Sequence, residues 1–259
     1  MNICAKLLIA ICLFATVGFA QTPAPDEKVY ELRIYTAAPG CLDALLARFR
    51  DHTCKLFEKY GMENIGYWVP LDADKGAENT LIYIIAHQSR AAAKASWAAF
   101  IADPEWQAAQ KKSEANGKLL AKAPESIVMT DADYSPALKL GGAGGRVFEL
   151  RDYTTPAGKI APLDARFRDH TLTLFKKHGI TSLGYWHPTD ADQGAGSRLI
   201  YIVTHKSKES GLASFKEFGA DPDWKAAKEN SEKHAGGPLT IQGGVKSTYL
   251  KAVDFSPIK

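Results

Sequence analysis

The segment ARFRDHT runs from Ala47 to Thr53 and recurs, letter for letter, from Ala165 to Thr171. The same displacement of 118 residues aligns VYELRIYT from Val29 with VFELRDYT from Val147, IGYWVPLDAD from Ile65 with LGYWHPTDAD from Leu183, and LIYIIAHQS from Leu81 with LIYIVTHKS from Leu199. ADPEWQAA from Ala102 pairs with ADPDWKAA from Ala220, and after a three-residue insertion DYSP at Asp133 pairs with DFSP at Asp254. A period this long is not a solenoid and marks a duplicated small domain. The first copy is read as residues 29–138 and the second as 146–259, joined by a glycine-rich linker at 139–145, KLGGAGG. A strand follows this linker where a dinucleotide loop would need a helix.

Each copy reads as strand, helix, strand, strand, helix, strand. Val29 to Thr36 alternates and is rich in β-branched and aromatic residues, as a strand is. Leu42, Leu45, Phe49, Leu56 and Tyr60 recur at helical spacing until Gly61 ends the run. Asn64–Pro70 and Thr80–His87 are strands, Ala91–Phe100 is a helix, and Asp103 with Pro104 opens a further helix carrying Trp106. Ser126 to Thr130 closes the copy. This split β-α-β plan is that of a ferredoxin-like unit, with helices on one face of a four-stranded sheet and the other face open. The expected fold is therefore α+β: two tandem ferredoxin-like units whose antiparallel sheets face each other as an intrachain pseudo-dimeric barrel, helices outside.

The N-terminus predicts export. Lys6, an apolar run from Leu7 to Phe19, and Gly18 and Ala20 read as a signal peptide over residues 1–20, followed by a Pro-rich leader at 21–28. The expected location is secreted or periplasmic, and the run is too short for a spanning anchor. The mature chain then keeps Cys41 and Cys54, thirteen apart on one predicted helix and too distant to bridge. A formal charge of +3 spread among interspersed acids leaves no nucleic-acid footprint.

Candidate chemistry lies on the strands. Alternation puts Glu31, Arg33 and Tyr35 on one face and Tyr30, Leu32 and Ile34 on the other. The polar set is expected to line the space between the sheets, with Glu149, Arg151 and Tyr153 as its second copy. Tyr83 and His87 share a face, as do Tyr201 and His205. Tyr67 and Trp68 follow Gly66, and Tyr185 and Trp186 follow Gly184, with either ring able to turn inward. Such an interior suits a small acidic or aromatic ligand, Arg33 pairing with an anion and Trp68 or Tyr67 stacking. The alternative is a barrel filled by its own side chains.

ARFRDHT itself is ambiguous. On a helical wheel His52 falls at the edge of the buried stripe and Arg48 just outside it, while Arg50 and Asp51 are solvated surface. A packed histidine and a functional one would be duplicated alike. DADKG at Asp72 and DADQG at Asp190 fail the EF-hand spacing, so no metal is expected, and no nucleophile elbow occurs.

With YELRxYT, LFEKYGM or LFKKHGI, GYW, LIYI and DPEW in this order twice, the chain resembles the NIPSNAP family from about Val29 onward. The resemblance implies the dimeric α+β barrel fold and supplies no reaction or cofactor. The best-known eukaryotic members are mitochondrial proteins linked to trafficking and organelle quality control. An export signal stands here where they carry a transit peptide, so that role does not carry over. The expected function is exported small-ligand binding between the sheets. Two other readings stand beside it: a cofactor-independent monooxygenase-like barrel, and a non-catalytic interaction scaffold. The helical exterior would also be free for further self-association.

Overall fold

The computed structural model describes residues 27–142 and 144–259. The signal-peptide reading and most of the leader lie outside the described residues.

Among the described residues eight strands form: β1 (Val29–Thr36), β2 (Glu63–Pro70), β3 (Thr80–His87), β4 (Glu125–Asp131), β5 (Val147–Thr154), β6 (Thr181–Pro188), β7 (Arg198–His205) and β8 (Val245–Ala252). They close into one antiparallel barrel in the order β1-β3-β2-β8-β5-β7-β6-β4. The two copies therefore join at both edges: Trp68 of β2 lies opposite Ala252 of β8, and Thr130 of β4 opposite His187 of β6. The expected intrachain α+β barrel forms as one closed sheet, because each repeat's edge strand offers unpaired N–H and C=O groups that the other repeat's edge satisfies. Reciprocal ion pairs reinforce the seam. Arg90 meets Asp190 at 2.6 Å and Lys208 meets Asp72, which accounts for the first carboxylate of each DAD loop.

The helices lie outside the barrel. α1 (Leu42–Arg48) runs through a π-helical turn, Phe49–Thr53, into α2 (Cys54–Lys59); α5 (Ile160–Arg166), the turn Phe167–Thr171 and α6 (Leu172–Lys177) repeat this. α3 (Arg90–Ala102) and α4 (Pro104–Ser113) correspond to α7 (Lys208–Ala220) and α8 (Pro222–His234). Asp103 caps α4 by accepting from the backbone N–H groups of Glu105 and Trp106, with Pro104 in the first turn. Asp221, accepting from the Asp223 backbone N–H, and Pro222 open α8 in the same manner.

Three cores result. The barrel interior is apolar and drawn from both repeats: Tyr30, Leu32, Trp68, Ile84, Phe148, Trp186, Ile202 and Leu250 are among its buried members. The other two lie between sheet and helices, one in each repeat, around Phe49, Tyr67 and Tyr83 and around Phe167, Tyr185 and Tyr201. The expected facing is reversed: Tyr35 belongs to the helix layer, and the Tyr30 and Leu32 face fills the barrel. An eight-stranded barrel has room inside for little beyond its own side chains, so the large apolar set goes there. The polar set goes where helices bring partners to it.

The GYW segments follow the same logic. A bulge between Asn64 and Gly66 lets both Ile65 and Trp68 face inward, while Tyr67 turns outward under the helices. A Cβ on Gly66 would lie 2.3 Å from the Trp68 ring, and one on Gly184 2.4 Å from that of Trp186. Glycine is required there by the indole above it.

Candidate functional site

Beneath the helices of repeat one, Glu31 gathers four donors or partners: Arg33 Nη1 at 2.5 Å, Ser126 Oγ at 2.5 Å, Trp97 Nε1 at 2.7 Å and His87 Nε2 at 3.3 Å. Burial alone would raise the Glu31 pKa, but His87, Arg33, Ser126 and Trp97 together outweigh it and hold it at about 2. In repeat two Glu149 keeps Arg151 at 2.5 Å, Ser247 at 2.5 Å and His205 at 2.9 Å. Phe215 stands where Trp97 does, so one donor is gone, and Arg151 lies over its ring at 4.1 Å. Both arginines are thus paired to their own glutamates through Nη1, each with its Nε buried and unpartnered.

The twelve residues read from the strands separate. Trp68 and Trp186 fill the barrel. Tyr35, Tyr67 and Tyr83 pack in one helix layer and Tyr153, Tyr185 and Tyr201 in the other, with Tyr67 stacked on Tyr83 at 5.2 Å and Tyr185 on Tyr201 at 5.1 Å. Arg33, His87, Arg151 and His205 belong to the glutamate networks. The interior between the sheets therefore does not bring this set together around an open space.

What the ARFRDHT segment does is set by its π-turn. A π-turn holds one extra residue, which sets the helical stripe back by about 100°. Thr53 and Phe57 rotate into the core, His52 is half-buried and His170 exposed. Arg48 and Arg166 are the buried polar residues, each 5% exposed, and Thr53 and Thr171 donate to the Arg48 and Arg166 carbonyls at 3.1 Å. Arg50, expected as solvated surface, is exposed and pairs across the seam with Asp254, as Arg168 does with Asp133. The wheel misplaced Arg48 because it assumed unbroken α-geometry and could not see α4 packing against α1.

Here the repeats diverge. Arg48 lies over Trp106, and its Nη1 donates to Glu114 at 2.9 Å and Ser113 at 3.3 Å. Arg166 lies over Trp224 in the same way, but Glu232 stands 3.5 Å off, outside hydrogen-bond geometry, and Nε and Nη1 are buried without partners. The cause is helix length. α4 stops at Ser113 and frees Glu114 to bend toward Arg48, whereas α8 continues to His234 and keeps Glu232 in helical register. Burial lowers the Arg166 pKa from the usual arginine value, with Glu232 pulling the other way.

Arg166 forms part of the wall of a cavity of about 280 Å³, together with Tyr153, Thr171, Phe218, Trp224, Lys228 and Glu232. Pro238, Thr240 and Val245 complete its rim. These belong to the stretch that holds the three-residue insertion. Ala121 and Ile241 make equivalent bonds to the Thr36 and Thr154 carbonyls, as Ser126 and Ser247 do to the glutamates, so two extra residues precede Ile241 and one follows it. The cavity can hold a small molecule against a wall on which the Arg166 guanidinium lies over Trp224.

A NIPSNAP family profile matches residues 30–136 and again 148–257. The chain belongs to the NIPSNAP family. Among curated proteins no sequence relative matches it. Solved structures from Lactobacillus acidophilus NCFM and Fusobacterium nucleatum, each described as a "putative monooxygenase", superpose with TM-scores of 0.55 and 0.57 at 11% and 10% identity. The first alignment covers 87% of this chain and 94% of that one, the second 90% and 95%. A mutant chlorite dismutase from Candidatus Nitrospira defluvii superposes at 0.50 with 9% identity, covering 86% and 91%. Identity this low speaks for a shared α+β barrel fold and nothing further.

Of the twelve candidates in this NIPSNAP chain, Tyr153 alone reaches the cavity wall. Its hydroxyl accepts from Arg151 at 3.0 Å, leaving its own O–H free to donate. Arg166, Trp224, Glu232 and Lys228 were not singled out in the sequence. The available signal was the insertion, the one place where the copies differ in length. Among the described residues no three His, Cys, Asp or Glu side chains gather as metal ligands, and no helix is long and apolar enough to cross a membrane.

Proposed function

We propose that this NIPSNAP-family protein binds a small acidic or aromatic ligand in the helix–sheet cavity of its second repeat. The observation that carries this reading is Arg166, a 95% buried residue at the cavity wall whose Nε and Nη1 are both unpartnered; Arg48 shares the unpartnered Nε, but its Nη1 is tied to Glu114 and Ser113. The Glu232 carboxylate at 3.5 Å offsets the buried charge only in part, and an anion that hydrogen-bonds the free nitrogens would offset the rest. The barrel interior, crossed by Trp68 and Trp186, is not part of the site.

Titration with 2-naphthoate, followed by calorimetry and by tryptophan fluorescence through Trp224, tests the reading. One saturable site per chain is expected, lost in Thr240→Trp, which plugs the rim without touching Arg166. A folded chain that shows no saturable binding of 2-naphthoate, benzoate or octanoate would remove it.

Two further parts of the reading rest on other observations. The order β4-β1-β3-β2 within repeat one, repeated as β8-β5-β7-β6, supports two ferredoxin-like units. The apolar run from Leu7 to Phe19 ahead of Ala20 supports export. N-terminal sequencing of protein recovered from the periplasmic or culture fraction should begin at Gln21; an intact Met1 there would end the export reading.

A further inference from the structure

The charges at the cavity do not balance. In repeat one the corresponding cluster is Arg48, Gln110 and Glu114, one cation against one anion, and the pair is closed at 2.9 Å. In repeat two Lys228, exposed on α8, replaces the glutamine, so two cations and the Glu232 carboxylate line the cavity, and that carboxylate lies 3.5 Å from Arg166. Glu232 is 25% exposed, so its side chain has solvent to swing into. The rim beyond it holds Pro238, Thr240 and Val245, and Val245 is 45% exposed, as is Ile241, which follows Thr240 in the chain.

We infer that the cavity takes a monoanionic amphiphile, a carboxylic acid or an acid of like charge, and that Glu232 is a tethered competitor for its acidic head. This rests on the reading that the cavity is a ligand site, and it names the class of ligand and the residue that regulates access. The head takes the place beside Arg166 and Lys228 that Glu232 partly occupies. A planar guanidinium accepts a carboxylate side by side in two hydrogen bonds, which Glu232, held in α8, does not achieve. The apolar body lies against Trp224 and Phe218, and a longer tail leaves between Ile241 and Val245.

One added negative charge brings the cluster to neutrality, and a dianion would exceed it. Glu232 thereby raises the threshold for binding. Neutral ligands gain nothing from Arg166, and anions gain only by outcompeting a carboxylate that is always present. Where a competing internal state dominates, apparent affinity falls by the fraction of molecules left competent. Removal of the Glu232 charge should therefore strengthen acid binding by about fivefold or more.

The test compares wild type and Glu232→Gln by calorimetry with 2-naphthoate and with its neutral analogue 2-naphthylmethanol. The Arg166 side-chain Nε–H resonance, assigned with Arg166→Lys, provides a second readout that does not depend on the variant's fold. The expected result is tighter 2-naphthoate binding by Glu232→Gln, weak alcohol binding that the substitution leaves unchanged, and a shift of the Arg166 signal on addition of the acid. If 2-naphthoate binds wild type but Glu232→Gln binds it equally or more weakly, Glu232 is no competitor and the inference falls, while the cavity reading survives. Alcohol binding as tight as that of the acid would overturn the acidic class. Failure of both probes on both folded proteins would overturn the cavity reading itself.

Discussion

The two helix–sheet layers share a template and differ in what they leave free. Repeat one ties its buried arginine to a carboxylate and a hydroxyl, and its glutamate network draws on Trp97. Repeat two keeps the same arginine over the same kind of tryptophan, yet its α8 continues past the point where α4 ends, and its rim loop is three residues longer. Both glutamates are present in sequence, and only one reaches its partner. A duplicated domain can thus keep its core letters and acquire an asymmetric site through the length of one helix.

The barrel interior is where the repeats should remain equivalent, and it carries the largest expected effect. Gly66→Ala and Gly184→Ala each drive a methyl into an indole that has no room to move. Each should cost about 3 kcal/mol in urea unfolding, at the upper end for overpacking. A difference of more than about 1 kcal/mol between them would mean that the interior is not the symmetric part of the molecule. The layers should differ. Glu114→Gln strips Arg48 of its counter-charge and should cost about 2 kcal/mol, somewhat below the range for a fully buried pair because Glu114 is partly exposed. Glu232→Gln should cost about 1 kcal/mol, the equivalent of the fivefold competition that Glu232 exerts on an acid. Equal losses from the two would erase the contrast on which the site rests.

How far these differences could be read from the letters depends on their physical origin. The duplication, the strands and the Asp103–Pro104 start of α4 are legible because period, alternation and capping are local. Alternation along YELRIYT separates two faces but cannot say which is dry, since that depends on barrel closure by β2–β8 and β4–β6 pairing. The π-turn at FRDHT leaves no periodic trace, so Arg48 and His52 exchange the roles a regular wheel assigns them. Arg166 escaped notice because it is identical to Arg48; its freedom comes from where α8 ends.

Acid should expose the Trp97 difference. The Glu31 pKa is about 2 in the folded chain against an ordinary 4.5. A carboxylate with a depressed pKa contributes stability fully present above about pH 4.5, lost as pH falls toward 2. Trp97→Phe copies the repeat-two arrangement, removes one donor to a charged acceptor and should cost about 1.5 kcal/mol at pH 7. It also raises the Glu31 pKa, so its penalty should shrink as pH falls from 5 toward 2. A penalty that holds constant across that range would mean that Trp97 acts through packing on Arg33 and Phe57 and not through Glu31.

The smallest effect belongs to the residue that most invites a catalytic reading. His170 is exposed and His52 half-buried, because the π-turn carries this position out of the core stripe. His170→Ala and His52→Ala should each change stability by less than about 0.5 kcal/mol. His170 does line a groove between α5 and α8 that also touches Arg166, Asn230 and His234. The comparison can therefore be sharpened by measuring 2-naphthoate affinity in His170→Ala. An affinity within twofold of wild type places the whole site on the sheet side of Arg166. A tenfold loss with the fold intact would mean that the acid reaches Arg166 from the outer groove, and that the duplicated histidine has a binding role in repeat two which its copy in repeat one lacks.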